Sequence, residues 1–203
     1  MGFIMAIFAP MNWTAFLPLV FAWMVYYSLH SALLNEKIQE NLFRRFPQLK
    51  SRYRIWYNGL SVALLLPIVF IYYHTPNDDI SDFENPFLTF MSVLVMSGGL
   101  YIMLKSLRAH NINEFIGLEE GGKEELQMEG LYELVRHPMY FGILLFLFGA
   151  MMYNPSSRFL VTAAISALYI FVGARLEEKK LVKKFGKAYQ KYQSEVPMLI
   201  PFT

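Results

Sequence analysis

Residues 131–142 read LYELVRHPMYFG. The stretch starts just after Gly130 in a polar segment and runs directly into an apolar one. Arg136 and His137 stand immediately before Pro138; Tyr140 and the uncharged run Met139–Tyr153 follow. Pro138 suits the first turn of a helix, where its missing N–H costs nothing. The free amides and positive dipole end of such a helix start form an anion site, and Arg136 and His137 add donors beside it. Arg136 as an ordinary membrane anchor and His137 as a capping group account for the same residues, since basic residues before a span are the norm.

Outward from this boundary the chain alternates apolar and polar stretches. Towards the C-terminus, Met139–Tyr153, the turn Asn154–Ser157 and the uncharged Phe159–Ala174 form a helical hairpin. Towards the N-terminus lie three further spans, roughly Trp13–Ser31, Ile55–Tyr73 and Phe87–Leu104. Each approaches the ~20 residues that cross a bilayer core of about 30 Å, whereas Met139–Tyr153 is barely long enough. Pro10 and Pro18 argue against one straight helix at the start. Aromatic residues at both ends of Ile55–Tyr73 suit the headgroup layers. Ser97-Gly98-Gly99 is a small-residue patch that admits close approach of another helix. Asn35–Arg54 is polar and basic and reads either as a short interfacial helix or as an anchored loop.

Composition agrees with this pattern. Hydrophobic residues make up 55% of the 203-residue chain and charged residues only 17%, against roughly 25% charged in soluble domains. The absence of Cys excludes disulfides, thiolate metal sites and a cysteine nucleophile. The four histidines show no metal-ligand spacing, so no metal is expected. No phosphate-cradling loop or nucleophile elbow is present. With five spans, 17 of the 18 Lys and Arg residues fall on one side, Arg158 being the exception. The positive-inside rule then places the N-terminus outside and the C-terminus in the cytoplasm, in what is expected to be a prokaryotic cell membrane. This lipid-facing distribution explains the basic residues without nucleic acid. The expected architecture is all-α: a polytopic integral membrane protein with five transmembrane helices, a C-terminal hairpin and a cytoplasmic cofactor pocket. Residues 1–110 form the three-span N-terminal region. Residues 111–203 carry the pocket loop, hairpin and amphipathic tail, integrated with it as one domain.

A second constellation, Arg175-Leu176-Glu177-Glu178, lies where the fifth span leaves the membrane. Acidic residues at such a boundary are costly if immersed and often functional. Arg175 and Glu178 have the spacing to pair on one helix face, as they would on any solvated helix. One boundary offers donors for an anion and the other carboxylates for a cation, a combination that suits a zwitterion or a sulfonium bearing a carboxylate. Arg136, Arg175 and Glu178 are the candidate catalytic residues. His110, Asn113 and Glu114 are weaker candidates for substrate contact, and His30 reads as an interfacial capping group.

GLYELVRHPMYFG, a hairpin turning at Asn154-Pro155, and EEKKLVKKFGKAYQKYQSEVPMLIP together resemble the isoprenylcysteine carboxyl methyltransferase superfamily over about Gly130–Pro201. LHSALLNEKI, YRIWYNGLS and NEFIGL are similar to segments of the bacterial methanethiol S-methyltransferase and NnrU-type branches. The resemblance implies a membrane methyltransferase using S-adenosyl-L-methionine, with partners limited to the bilayer and a small or lipophilic methyl acceptor, a thiol or a carboxylate. It assigns cofactor contacts to Tyr132, to His137, Pro138, Met139 and Tyr140, to Glu177, and to backbone including Leu126 and Gln127. The substrate-facing Arg of the carboxyl methyltransferases falls on Gly173. The alternatives are an NADPH-dependent sterol-type reductase and a non-enzymatic NnrU-type membrane binding protein.

Overall fold

A computed structural model describes residues 13–77, 85–108 and 126–202. Every regular element among them is helical. After a 3-10 turn at Trp13–Phe16 come α1 (Leu17–Leu33), α2 (Glu36–Arg45), a 3-10 turn at Pro47–Arg52 and α3 (Tyr53–His74). Then follow α4 (Pro86–Arg108), a 3-10 turn at Gly130–Glu133, α5 (Pro138–Tyr153), α6 (Ser157–Phe185) and α7 (Lys187–Glu195).

Local chemistry sets several boundaries. Pro18 sits in the first turn of α1, where a proline is tolerated. The Asn35 side chain caps α2 by accepting from the amides of Lys37 and Ile38, and Asn85 does the same for Phe87 and Leu88 at the start of α4. Asn35–Arg54 therefore contains a true short helix. Gly186 ends α6 at φ 56°, ψ −128°, a conformation essentially reserved for glycine.

The described residues divide into two compact units, one holding α1 to α3 and the other α4 to α7. In the first, α1 and α3 are joined across polar side chains. The Tyr57 hydroxyl lies 2.7 Å from His30 Nε2, and Tyr53 donates to the Leu33 carbonyl at 2.7 Å. His30 thus links two helices, where an interfacial cap was expected.

In the second unit α4 joins α5, so the third apolar helix groups with the C-terminal region rather than with the first two. The reason lies in small residues. Ser92, Gly99 and Ser106, seven apart on α4, are buried, as are Gly142 and Gly149 on α5. A methyl group built on Gly99 would lie 2.7 Å from the Gly142 carbonyl oxygen, and one on Gly142 would lie 2.8 Å from the Gly99 carbonyl oxygen. The two backbones touch, as small-residue helix pairs in membranes do. Of the expected patch, Gly99 makes this contact and Ser97 faces outward.

Among the described residues, four helical stretches are long and apolar enough to cross a membrane: Trp13–Leu33, Pro47–His74, Pro86–Arg108 and Ser157–Phe185. The fifth, Pro138–Tyr153, has 16 residues, about 24 Å of rise. Large apolar side chains such as Phe21, Leu66 and Phe90 are more than 60% exposed, which fits lipid as their surroundings. On α6 the buried residues step by four through Thr162, Ser166, Ile170, Ala174 and Glu178. Ile170 and Ala174 pack with Leu199 against Tyr140, Ile143 and Leu144. The last step of this inward stripe carries a carboxylate to the foot of α5.

Candidate active site

Arg136 and Glu178 meet at that foot. Arg136 Nε donates to Glu178 Oε1 at 2.5 Å, and each side chain is only 9% exposed. Arg136 also donates to the carbonyls of Gln193, at 3.0 Å, and Val196. Its own amide donates to the Pro197 carbonyl at 2.9 Å, and the His137 amide to that of Met198 at 3.2 Å. Glu178 is further held by Gln193 Nε2 at 3.2 Å and the Tyr189 hydroxyl at 3.4 Å. Tyr192 donates to the Tyr132 carbonyl at 2.5 Å. The donors expected to receive an outside anion are thus engaged by the chain's own carboxylate and carbonyls. The pairing of Arg175 with Glu178 does not form. Arg175 points outward, its guanidinium 5.0 Å above the Phe171 ring.

Burying a guanidinium is costly unless its charge and donors are matched. Here the match comes from α6, α7 and the 193–198 segment together. These contacts draw RHP and the tail motif to one point, although about 40 to 60 residues separate them in sequence. Sequence reasoning missed Tyr189, Tyr192 and Gln193. The quoted tail motif contains both tyrosines, but reading it as an amphipathic tail leaves out their hydroxyls, which do the bonding.

On the neighbouring face the residues are less saturated. Pro138 is fully buried at the first turn of α5. The His137 ring is buried and stacks on Tyr140, with centroids 5.4 Å apart and planes 20° from parallel. Its Nδ1 lies 3.7 Å from Glu177 Oε2 and its Nε2 3.6 Å from Glu178 Oε1, both beyond a good hydrogen bond. Burial pushes the His137 pKa down, against the upward pull of Glu177 and Glu178, and Arg136 adds to the lowering. His137 is therefore held neutral near pH 7. Tyr140 donates to Glu177 Oε2 at 3.0 Å. The Glu177 side chain is 47% exposed, so its carboxylate keeps room for a second partner. Burial raises the pKa of Tyr132, and the charge of Glu177 adds to it. Tyr192 is pushed up to about 12, chiefly by burial, and Tyr189 is also raised, by burial first. All three phenols stay protonated and able to donate.

Beside Tyr132 opens a cavity of about 370 Å³, lined by Lys105, Ser106 and Arg108 from the end of α4 and by Gln127, Glu129, Gly130, Leu131 and Tyr132. Gln127 and Tyr132 are two of the expected cofactor contacts. Leu126 and Met139, also expected there, are half-buried, as is Gln127. Gly130 begins the turn at φ 68°, placing Leu131 and Tyr132 along the wall. Gly173 has nothing within 4 Å of where a Cβ would stand. His110, Asn113 and Glu114 lie outside the described residues.

A model of the phospholipid methyltransferase family matches residues 87–188. Methanethiol S-methyltransferase from a Pseudomonas species is 30% identical over 151 residues, covering 70% of this chain and 57% of that protein. Methanethiol S-methyltransferase 1 of Bradyrhizobium diazoefficiens is 32% identical over 152 residues, covering 70% and 53%. Protein-S-isoprenylcysteine O-methyltransferase B of Arabidopsis thaliana is 34% identical over 82 residues, covering 38% and 40%. The chain spans just over half the length of these bacterial relatives. No solved structure matches it. The matched region holds α4 to α6, with RHPMY and the glutamate pair, and the chain belongs to the phospholipid methyltransferase family.

Proposed function

We propose that the chain is an integral membrane methyltransferase that moves a methyl group from S-adenosyl-L-methionine to the sulfur of a small or lipophilic thiol, whose proton passes to solvent as S-adenosylhomocysteine leaves. The observation that carries this reading is one half-exposed carboxylate, Glu177, held by Tyr140 beside the stacked His137 ring, in the same unit as the cavity that Tyr132 lines. The cofactor, when bound, supplies a methyl group on a positively charged sulfur. A half-exposed carboxylate oriented by Tyr140 suits that charge, and ring faces such as those of Tyr140 and Tyr132 attract cations. A cavity near 370 Å³ falls in the range of about 300–1,000 Å³ for small-molecule sites.

The protein's work in such a transfer is positioning and exclusion of water. Arg136, Glu178, Tyr189 and Gln193 fix the foot of α5 and the start of the tail. His137 and Tyr140 stand on that fixed point, and Tyr140 holds Glu177. Leu126, Gln127 and Met139 complete the proposed cofactor wall. Arg136 and Glu178 act here through the residues they hold, and Arg175 stays at the rim.

The thiol is favoured over the prenylcysteine carboxylate by the bacterial relatives named as methanethiol S-methyltransferases. It is also favoured by Gly173, which provides no guanidinium for a carboxylate. The basic residues support five crossings, the short α5 included, with the N-terminus outside and the cavity on the cytoplasmic side.

S-adenosylhomocysteine is expected to raise the melting temperature of the purified protein, and NADPH to leave it unchanged. Glu177→Gln should weaken binding of S-adenosylmethionine, which carries the sulfonium charge, about tenfold or more, while affecting the uncharged thioether S-adenosylhomocysteine less and leaving the melting temperature of the free protein unaltered. Stabilisation by NADPH alone would favour a reductase; stabilisation by neither would favour a binding protein without this cofactor. Equal affinity for S-adenosylmethionine in wild type and Glu177→Gln would remove Glu177 from the site.

A further inference from the structure

We propose that Lys105 and Arg108, with the Ser106 hydroxyl between them, bind the carboxylate of the methyl donor, while Glu129 of the same lining takes its ammonium group. This assignment rests on the methyl-donor reading above and gives the donor a direction in the site.

Three observations converge on it. Lys105, Ser106 and Arg108 line the cavity from α4, and Glu129 lines it from the 127–132 segment. Among the described residues, neither Lys105 nor Arg108 makes an ion pair, and neither does Glu129. Two cations and one carboxylate thus line a shared space with no opposite charge paired to them among the described residues, Lys105 Nζ standing 5.9 Å from the centre of the Tyr101 ring.

The second observation is Ser106. It is fully buried, and its hydroxyl has no hydrogen-bond partner among the described residues. A serine inside a helix ordinarily bonds back to the carbonyl a turn earlier, as Ser166 does to Thr162 at 2.7 Å. Ser106 forgoes that bond on a residue that lines the cavity. An unsatisfied buried hydroxyl is costly, and an anion entering the cavity would satisfy it.

The third is the polarity of the whole site. The cationic wall lies at the end of α4, and Tyr132 forms part of the cavity lining. Glu177 is near enough to Tyr132 to raise its pKa, and Tyr140 holds Glu177. Cations thus stand on the α4 side of the lining, while Glu177, which is not among the lining residues, adds negative charge that is felt at Tyr132. An amino-acid group carries a carboxylate and an ammonium on one carbon, matching the two cations and Glu129. The sulfonium, farther along the same chain, then lies towards Glu177. The reverse orientation would set the carboxylate against Glu177 and the sulfonium against two cations.

The test is calorimetric titration of the full chain in lipid nanodiscs with two probes, S-adenosylhomocysteine and its decarboxylated analogue S-adenosyl-3-thiopropylamine. Wild type should bind the first about tenfold or more tightly than the second. The double variant Lys105→Gln/Arg108→Gln should bind both with the same, weaker affinity, with the melting temperature of the free protein unchanged. Equal binding of the two probes by wild type would overturn the proposal. So would a variant that keeps wild-type discrimination, since Lys105 and Arg108 would then be ordinary membrane anchors. A wild type that binds neither probe would overturn the methyl-donor reading itself. Binding of both without discrimination overturns only the assignment made here.

Discussion

Glu178→Ala is expected to destabilise the protein by about 3–5 kcal/mol, and Arg136→Met by a similar amount. Either change strands a buried charge. Without Glu178, the Arg136 guanidinium keeps the Gln193 and Val196 carbonyls but loses its only carboxylate among the described residues. Tyr189 and Gln193 lose their acceptor in the same step. Without Arg136, the carboxylate of Glu178 stays 9% exposed with neutral donors only. The double variant Arg136→Met/Glu178→Leu should cost much less than the sum of the singles, because it removes both charges and leaves apolar groups of similar size. Denaturation of all three variants in one detergent, followed by circular dichroism, measures the cycle. Additive losses would show that the pair is not coupled. Single losses below about 1 kcal/mol, typical of solvent-exposed pairs, would show that water reaches it.

The second large effect belongs to Gly99. Gly99→Ala places a methyl group 2.7 Å from both the Gly142 carbonyl oxygen and the Phe146 amide nitrogen. Both are backbone atoms, so the helices themselves must separate. Overpacking of this kind costs typically 1–3 kcal/mol, and parting α4 from α5 would also disturb the cavity wall that α4 supplies. Gly98→Ala is the control. The nearest atom to its new methyl is Leu145 Cδ2 at 3.9 Å, an ordinary contact, and alanine gains about 1 kcal/mol of helix propensity over glycine. The expected order of stability is Gly98→Ala at or above wild type, and Gly99→Ala well below it. Equal stabilities for the two variants would contradict the backbone contact between α4 and α5.

Much of this arrangement is legible in the sequence. Charge-free runs mark α1, α3, α4 and α5 to within a few residues, since side chains in lipid must be apolar over the whole crossing, whereas α6 runs on past Ala174 through the charged stretch to Phe185. Pro138 at the start of α5 and the Asn154–Ser157 turn follow from backbone rules that hold without tertiary context. The meeting of RHPMY with the glutamate pair was legible as opposite charges at the two open ends of a hairpin. What it conceals is which carboxylate does which task. Glu177 and Glu178 are adjacent and chemically identical. Only the four-residue step through Ser166, Ile170 and Ala174 sends Glu178 inward to Arg136 and leaves Glu177 at the surface.

Other features depend on long-range contacts that periodicity does not encode. Tyr189 and Tyr192 fit an apolar stripe equally well whether their hydroxyls bond or not. Arg175 has the spacing to pair with Glu178, yet Arg136 claims that carboxylate from 42 positions away. The affiliation of α4 with the C-terminal helices rests on three small residues seven apart, Ser92, Gly99 and Ser106. In sequence these look like three unrelated positions in an apolar helix. Lys105 and Arg108 read as membrane anchors until the cavity beside them is seen.

Methyl transfer at the membrane, as proposed, can be followed by incubating the purified protein in nanodiscs with S-adenosylmethionine carrying a labelled methyl group and a simple alkyl thiol. Labelled methyl thioether is expected in proportion to enzyme, at a rate lowered at least tenfold by Glu177→Gln. Absence of labelled product from this thiol and from longer-chain thiols, by a protein that also fails to bind S-adenosylhomocysteine, would contradict the proposed transfer.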